Sequence, residues 1–206
     1  MTGVEAPRLR LAGVVLAGAA SLDLAVASGE LVAIVGWDSS DLLGVVAGLV
    51  RPESGIVTID GVPIDDRIGA ADRGVVLMPQ SGALAMLLTA YENVLLPLLG
   101  RPGGDVADSD PPARARRALE LVGLADSADH LVEELSGGQQ QRVAIARTLA
   151  ARPRVLLADQ VTTDLDPANR TRVLDLLRDL AADGAAVLLA SDDPAVIEAC
   201  DRSVSI

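Results

Sequence analysis

Leu135-Ser136-Gly137-Gly138-Gln139-Gln140-Gln141-Arg142, continued by Val143-Ala144-Ile145-Ala146-Arg147, is the stretch on which the fold turns. It sets a hydroxyl and two glycines at the head of an apolar helix. That order suits an anion: Ser136 offers an O–H, Gly137 and Gly138 permit close approach, and the helix presents its N-terminal N–H groups and positive dipole end. A glycine-capped turn without a ligand is the plainer alternative. Downstream, residues 139–151 read as a helix, 154–159 as an apolar strand, 167–182 as a helix, 185–190 as a strand and 193–199 as a short helix. Upstream, strands are expected at 8–17, 21–27, 30–35, 55–60 (closed by a Gly61 turn) and 74–78, with an apolar helix at 41–50. Mixed periods of this kind mean an α/β fold. Between the two halves, helices at 89–99 and 112–122 flank the polar, Gly/Pro-rich linker 100–111 and read as a helical insertion.

Composition narrows the chemistry further. All 17 basic residues are Arg, because the 206-residue sequence contains no Lys. Every mechanism that needs a lysine is therefore excluded, including the phosphate-loop lysine, Schiff bases and Ser-Lys dyads. The single His, His130, leaves no pair for a metal site or two-histidine acid/base work, and the single Cys, Cys200, rules out an internal disulfide. Cys200 reads as a small buried hydrophobe, with a reactive thiol as the alternative. A net charge of −12 opposes nonspecific binding to nucleic acid or to an anionic membrane surface, so a membrane contact must be made through protein. Arg8 and Arg10, the apolar run 11–20 and Ala25-Val26-Ala27 imitate a signal peptide, but we read them as strands. Residues 74–91 carry no charge, yet Pro79, Gln80, Ser81 and Gly82 interrupt them, which argues against a spanning helix.

The Ser136-Gly137-Gly138-Gln139 stretch resembles the signature motif of ATP-binding cassette (ABC) ATPases, and the resemblance covers nearly the whole chain. Residues 30–36 look like the strand into the phosphate loop and Ala47-Gly48-Leu49 like the helix after it. Gln80 looks like the Q-loop glutamine, 155–159 like the Walker B strand ending on Asp159, and Thr163-Asp164-Leu165-Asp166 like the D-loop. Residues 88–94 and 96–99 look most like the lipoprotein-releasing, macrolide-exporting and cell-division group. The resemblance implies a P-loop NTPase-like cassette: a RecA-like core over about 1–86 and 152–206, with a helical lobe over about 87–151. It also implies a dimer beneath a membrane permease, received near Gln80, Met86 and Tyr91, on the cytoplasmic face of the membrane. The sequence ends after its last strand, so no C-terminal regulatory domain is expected.

Departures from the family pattern cluster in the motifs that hold and cleave a cassette's own nucleotide. Gly36 is followed by Trp37-Asp38-Ser39-Ser40-Asp41-Leu42-Leu43 where G-x-x-x-x-G-K-[ST] is expected. Counted without a gap, the second Gly, the Lys and the Ser/Thr fall on Asp41, Leu42 and Leu43. Aligned on the double Leu, three residues are missing and Ser39 takes the lysine's place. Either way, Asp38 and Asp41 put carboxylates where a polyanion would lie, and unit charges ~4 Å apart repel by several kcal/mol at an effective dielectric of ~20. A tightened turn joining strand to helix is the favoured reading, with a smaller anion at the helix N-terminus as the other. Gln160 replaces the catalytic Glu and cannot accept a proton from an attacking water. Val161 in place of the usual Pro accords with natural drift rather than one engineered change. The switch His falls on Asp192, and His130 lies too far away in sequence to replace it. An adenine-stacking aromatic is missing, the only aromatics being Trp37 and Tyr91.

Gln80, Ser136, Gly137, Gly138, Gln139, Asp159 and Asp166 survive. The resemblance then implies a degenerate subunit of an asymmetric transporter that completes the ATP site of a partner cassette with intact motifs, a heterodimer with ATP and Mg at the partner's site. Gln80 and Asp159 would be this chain's own metal contacts if Mg bound. A residually active ATPase and a non-transport dimerisation scaffold are the alternatives.

Overall fold

The computed structural model describes residues 6–16, 20–36, 38–80, 82–99, 110–163 and 165–206. Trp37, Ser81, Asp164 and most of the 100–111 linker therefore lie outside the described residues. The chain divides into two compact units: one takes in the sequence up to Leu77 and from Arg154 onward, the other runs from Met78 to Pro153.

The first unit carries two sheets. One is antiparallel, built from β1 (Leu9–Val15), β2 (Leu22–Val26), β4 (Ser54–Ile59) and β5 (Val62–Pro63) in the order β2-β1-β4-β5. The signal-peptide-like segment is thus largely strand. The second sheet has the order β6-β7-β8-β3-β9, from β3 (Leu31–Val35), β6 (Val75–Met78), β7 (Val155–Asp159), β8 (Ala186–Ala190) and β9 (Arg202–Ser205). Strands β7, β8, β3 and β9 run parallel. Every residue of β8 is buried, as are the first four of β3 and of β7, which is why these strands read as unbroken apolar runs rather than alternating ones. Strand β9, Arg-Ser-Val-Ser, has no such signature, and its pairing to β3 is set by backbone geometry.

Helix α1 (Ser39–Val46) ends earlier than the apolar run predicts. Ala47-Gly48-Leu49 belongs to its C-terminal turn rather than to the helix: Gly48 N–H donates to the Val45 carbonyl and Leu49 N–H to that of Gly44. Helix α2 (Arg67–Asp72), capped by the Asp66 carboxylate on Gly69 N–H, was not anticipated because its exposed, short sequence carries no apolar period. Helices α6 (Pro167–Ala182) and α7 (Pro194–Glu198) complete this unit.

The second unit consists of α3 (Ala90–Leu99), α4 (Pro111–Leu121) and α5 (Gly137–Ala151), with short 3-10 turns at Ala125–Ser127 and Val132–Glu134. Two boundaries differ from expectation. Helix α5 starts at Gly137, so both glycines lie in its first turn. The unit begins at Met78 rather than near residue 87, because residues 82–91 hydrogen-bond to Arg147 and to the 128–133 segment.

Candidate functional site

Parallel α/β sheets bind ligands beyond the carboxyl ends of their strands. In the first unit those ends carry Gly36 after β3, Asp159 and Gln160 at β7, and Ser191 and Asp192 after β8. Only residues 36–38 separate β3 from α1. A Cβ on Gly36 (φ +135°) would stand 2.2 Å from the Ile206 carbonyl oxygen, and Ile206 N–H donates to the Val35 carbonyl at 2.9 Å. Glycine is thus needed here for the close passage of the segment after β9.

The two alignments of the shortened loop are distinguished by packing. Leu42 and Leu43 are wholly buried in the core, where neither a lysine nor a metal-binding hydroxyl has a place. Ser40 Oγ donates to Asp159 Oδ1 at 2.7 Å, linking α1 to the end of β7. Ser39 is buried, and of the two alignments the one on the double Leu is the one that puts Ser40, bonded to Asp159, at the motif's Ser/Thr position and Ser39 at the lysine's. Ser39 N–H donates to the Gly36 carbonyl at 3.3 Å. Asp38 precedes the helix without capping it by its side chain, and Asp41 puts a carboxylate in the first turn, where it complements the helix dipole.

Gln160 adopts a left-handed backbone (φ +51°), its N–H donating to the Ala190 carbonyl at 3.1 Å. Its side-chain oxygen accepts from Thr163 Oγ1 at 3.0 Å. Asp192 is exposed, while neighbouring Asp193 caps α7 and pairs with Arg170 at 3.1 Å. Asp166 caps α6: the Asn169 backbone N–H and side-chain amide hold its carboxyl below the usual range. Burial raises the Cys200 thiol to about 11, and its Sγ lies 3.3 Å from the Val196 carbonyl, as befits an inert packed side chain.

The second unit holds the other constellation. Ser136 caps α5 in a reciprocal box: Gln139 Oε1 accepts from Ser136 N–H and Oγ–H, both at 3.0 Å, and Ser136 Oγ accepts from Gln139 N–H at 3.4 Å. Gln140 Nε2 donates to the Val132 and Leu135 carbonyls, each at 3.0 Å, fixing the approach to the cap. Ser136, Gly137 and Gly138 are exposed. Among the described residues a Cβ at Gly137 or Gly138 would meet nothing within 4 Å, and neither has a left-handed φ. Glycine in a helix costs up to about 1 kcal/mol against alanine, so the chain's own packing gives no reason for two of them here.

In the same unit Gln80 is exposed, beside a turn closed by Gly82 N–H on the Pro79 carbonyl. Met86 is 43% and Leu87 76% exposed, which removes core packing as their reason. Tyr91 lies under the Arg116 guanidinium, 4.5 Å from the ring centroid. His130 is exposed and serves through its carbonyl, which accepts from Ala90 N–H. Among the described residues no group of three His, Cys, Asp or Glu could hold a metal ion, and no helix is long and apolar enough to cross a membrane.

Comparison with known proteins agrees with this geometry: the family model described as ABC transporter matches residues 19–163. The chain belongs to the ABC transporter family, as one of its ATP-binding cassettes. It is 36% identical to the uncharacterized ABC transporter ATP-binding protein YknY of Bacillus subtilis, over 90% of this chain and 83% of that protein. It is 39% identical to the lipoprotein-releasing system ATP-binding protein LolD 1 of Caulobacter vibrioides, over 90% of this chain and 82% of that one. The methionine import ATP-binding protein MetN of Rhizobium meliloti is 40% identical over 90% of this chain, which spans 53%, about half, of that relative's length. Among solved structures, the dimeric MJ0796 cassette superposes with a TM-score of 0.83 at 32% identity, over 96% of this chain and 94% of that one. The α/β cassette architecture expected from the sequence is thus the one observed. An importer's and a lipoprotein releaser's cassette are about equally similar, so overall similarity does not single out the subgroup read from residues 88–99.

Sequence reasoning missed two side chains that organise the second unit. Arg147 donates from Nη1 to the Ala83 carbonyl at 2.8 Å and from Nη2 to that of Gly82. Buried Asn93 accepts from Ala85 N–H at 2.8 Å and donates to the Ala85 and Thr89 carbonyls at 2.9 and 3.0 Å. The available signal was a polar side chain set among mostly apolar neighbours, Arg147 (next to Thr148) within 143–150 and Asn93 (next to Glu92) within 90–99.

Proposed function

We propose that this chain is the degenerate ATP-binding subunit of an asymmetric ABC transporter. Its own phosphate site holds no nucleotide, and it lends Ser136, Gly137, Gly138 and Gln139 in trans to ATP and Mg held by a partner cassette with intact motifs. The observation that carries this reading is the pair of exposed glycines in the first turn of α5, which nothing in the chain requires and which leave open the space a partner's phosphate would fill. The dimer described for the MJ0796 cassette supports a second cassette as that partner.

ATP and Mg do not fit the chain's own site. A connection of residues 36–38 cannot wrap a polyphosphate, no lysine exists to neutralise it, and Asp38 and Asp41 repel it. Ser40 and Asp159, the pair that would share a metal, are bonded to each other. Gln160 in place of Glu removes the base. A residually active ATPase would have to overcome all of these together.

Toward a partner's terminal phosphate, the Gly137 and Gly138 N–H groups have no acceptor within α5 and are free to donate. Ser136 Oγ–H would exchange Gln139 Oε1 for a phosphate oxygen, with Gln139 holding the hydroxyl in place beforehand. Donors fixed before charge builds lower the barrier, and losing one typically costs ~10²–10³ in rate. The exposed Met86 and Leu87, with Tyr91 nearby in sequence, form the surface offered to a membrane permease, placing the chain on the cytoplasmic face through protein contacts.

Titrating Mg-ATP into the isolated chain by calorimetry tests the reading: no binding is expected in the micromolar range, and Gln160→Glu should restore no turnover. Micromolar affinity, with turnover lost on Asp159→Asn, would establish the residual-ATPase alternative instead.

A further inference from the structure

Helices α4 and α5 each carry an arginine that reaches the carboxyl end of the other. From the first turn of α4, Arg114 Nε donates to the Ala150 carbonyl near the end of α5 at 3.1 Å. From the second turn of α5, Arg142 Nη1 donates to the Val122 carbonyl at 3.1 Å and to the Gly123 carbonyl at 3.5 Å, just past the end of α4. There Gly123 (φ +69°) turns the chain left-handed in a Schellman pattern: its N–H donates to the Glu120 carbonyl at 2.9 Å, and Leu124 N–H to that of Leu119 at 2.8 Å. Those bonds serve Leu119 and Glu120, and the carbonyls further out, Val122 and Gly123, are the ones that Arg142 takes. The same side chain also turns back on its own helix, with Nε donating to the Gly138 carbonyl at 3.3 Å. One guanidinium thus bridges the end of α4 and the first turn of α5. A cation beside the amino end of a helix opposes that helix's dipole, so α5 alone gives no reason for it, whereas the negative end of α4 does.

We propose that Arg142 is a positioning residue for the signature: by tying the Gly138 carbonyl to the carboxyl end of α4, it fixes where the Gly137 and Gly138 N–H groups and the Ser136 hydroxyl stand before a partner's phosphate arrives. The proposal rests on the trans-acting reading and names the side chain that sets the geometry of that site. Donors lower a barrier only when they are held in place beforehand, and two consecutive glycines restrain a backbone least. The Ser136 and Gln139 cap closes the turn from its amino side, and Arg142 holds it from the other. A planar guanidinium serves acceptors on two helices from two of its edges, which an ammonium group does less well. Arg114 performs the mirror task at Ala150, about 20 Å along α5 from Gly137, and so supplies the comparison.

Hydrogen exchange read by mass spectrometry tests the restraint in the isolated chain. Arg142→Gln should speed exchange of peptides covering 119–126 and 136–143 about tenfold or more, the scale of hydrogen bonds to a charged group, while α3 and the first unit stay as they were. Arg142→Lys, whose ammonium reaches one acceptor at a time, should recover part of the protection. Unchanged exchange at 136–143, equal acceleration throughout the second unit, or no recovery with Lys would overturn the restraint. In the complex purified with its partner cassette, Arg142→Gln should lower kcat for ATP about tenfold or more at unchanged KM, because the partner's phosphate loop holds the nucleotide and only the donors are misplaced. Arg114→Gln, which loosens the same helix pair at its far end, should leave kcat as it was. An equal loss of kcat in both variants, or a wild-type kcat in Arg142→Gln where Gly137→Asp abolishes turnover, would overturn the positioning role. If Gly137→Asp also leaves turnover unchanged, the trans-acting reading fails and the positioning role in catalysis with it, while exchange in the isolated chain still decides whether Arg142 fixes the turn.

Discussion

Residues 36–41 and 135–140 both lead into a helix through a glycine and serine stretch, yet they carry opposite burdens. At the first, the fold itself gives reasons for several residues: Gly36 lets the backbone after β9 pass, Ser40 binds Asp159, Asp41 meets the helix dipole, and Leu42 just beyond enters the core. At the second, Ser136 and Gln139 form an ordinary cap, but Gly137 and Gly138 fill no need of the chain. The difference teaches how to separate a residue kept for folding from one kept for a partner. In the first case substitution should damage the protein itself; in the second, on the proposed function, it should damage only the complex.

The largest stability effect should come from Gly36→Ala, which forces a Cβ toward the Ile206 carbonyl at a φ of +135°. A loss of about 3 kcal/mol or more is expected in urea melts. A loss below about 1 kcal/mol would mean that the segment after β9 yields easily, and Gly36 would lose its structural reason. Ser40→Ala should cost about 1 kcal/mol through the bond to Asp159, with no change when Mg-ATP is added. Stabilisation of the wild type by Mg-ATP that disappears in Ser40→Ala would instead return Ser40 and Asp159 to nucleotide duty. The smallest effect has the opposite sign. Gly137→Ala and Gly138→Ala should each stabilise the isolated chain by about 0.5 kcal/mol, since alanine favours the helix and its methyl meets nothing. Destabilisation by either would show a fold-based need for glycine and remove the contrast.

Much of this was legible in the sequence. Strands β3, β7 and β8 stand out as apolar runs, and α6 is bounded as expected because Asp166 and Pro167 mark its start. Helix α2 and strand β9 were not legible, since both are short and exposed and are fixed by backbone pairing and capping rather than by an apolar pattern. The site was legible in its residue types but not in its register. Leu42 and Leu43 fit either alignment as letters, and only their burial, with the Ser40 to Asp159 bond, distinguishes the two. Arg147 and Asn93 escaped because their partners are backbone carbonyls and N–H groups, which leave no complementary residue in the sequence.

The central claim is that a chain without a working site of its own is still needed for another's catalysis, and Gly137→Asp tests it most directly. The substitution sets a carboxylate and added bulk in the open space before Gly137, where a partner's phosphate would come, while the isolated chain should fold as before. In the complex purified with its partner cassette, ATP turnover should fall by ~10²-fold or more, with Ser136→Ala milder. If Gly137→Asp assembles normally and turnover stays at the wild-type rate, the signature contributes nothing in trans, and the chain is a dimerisation scaffold.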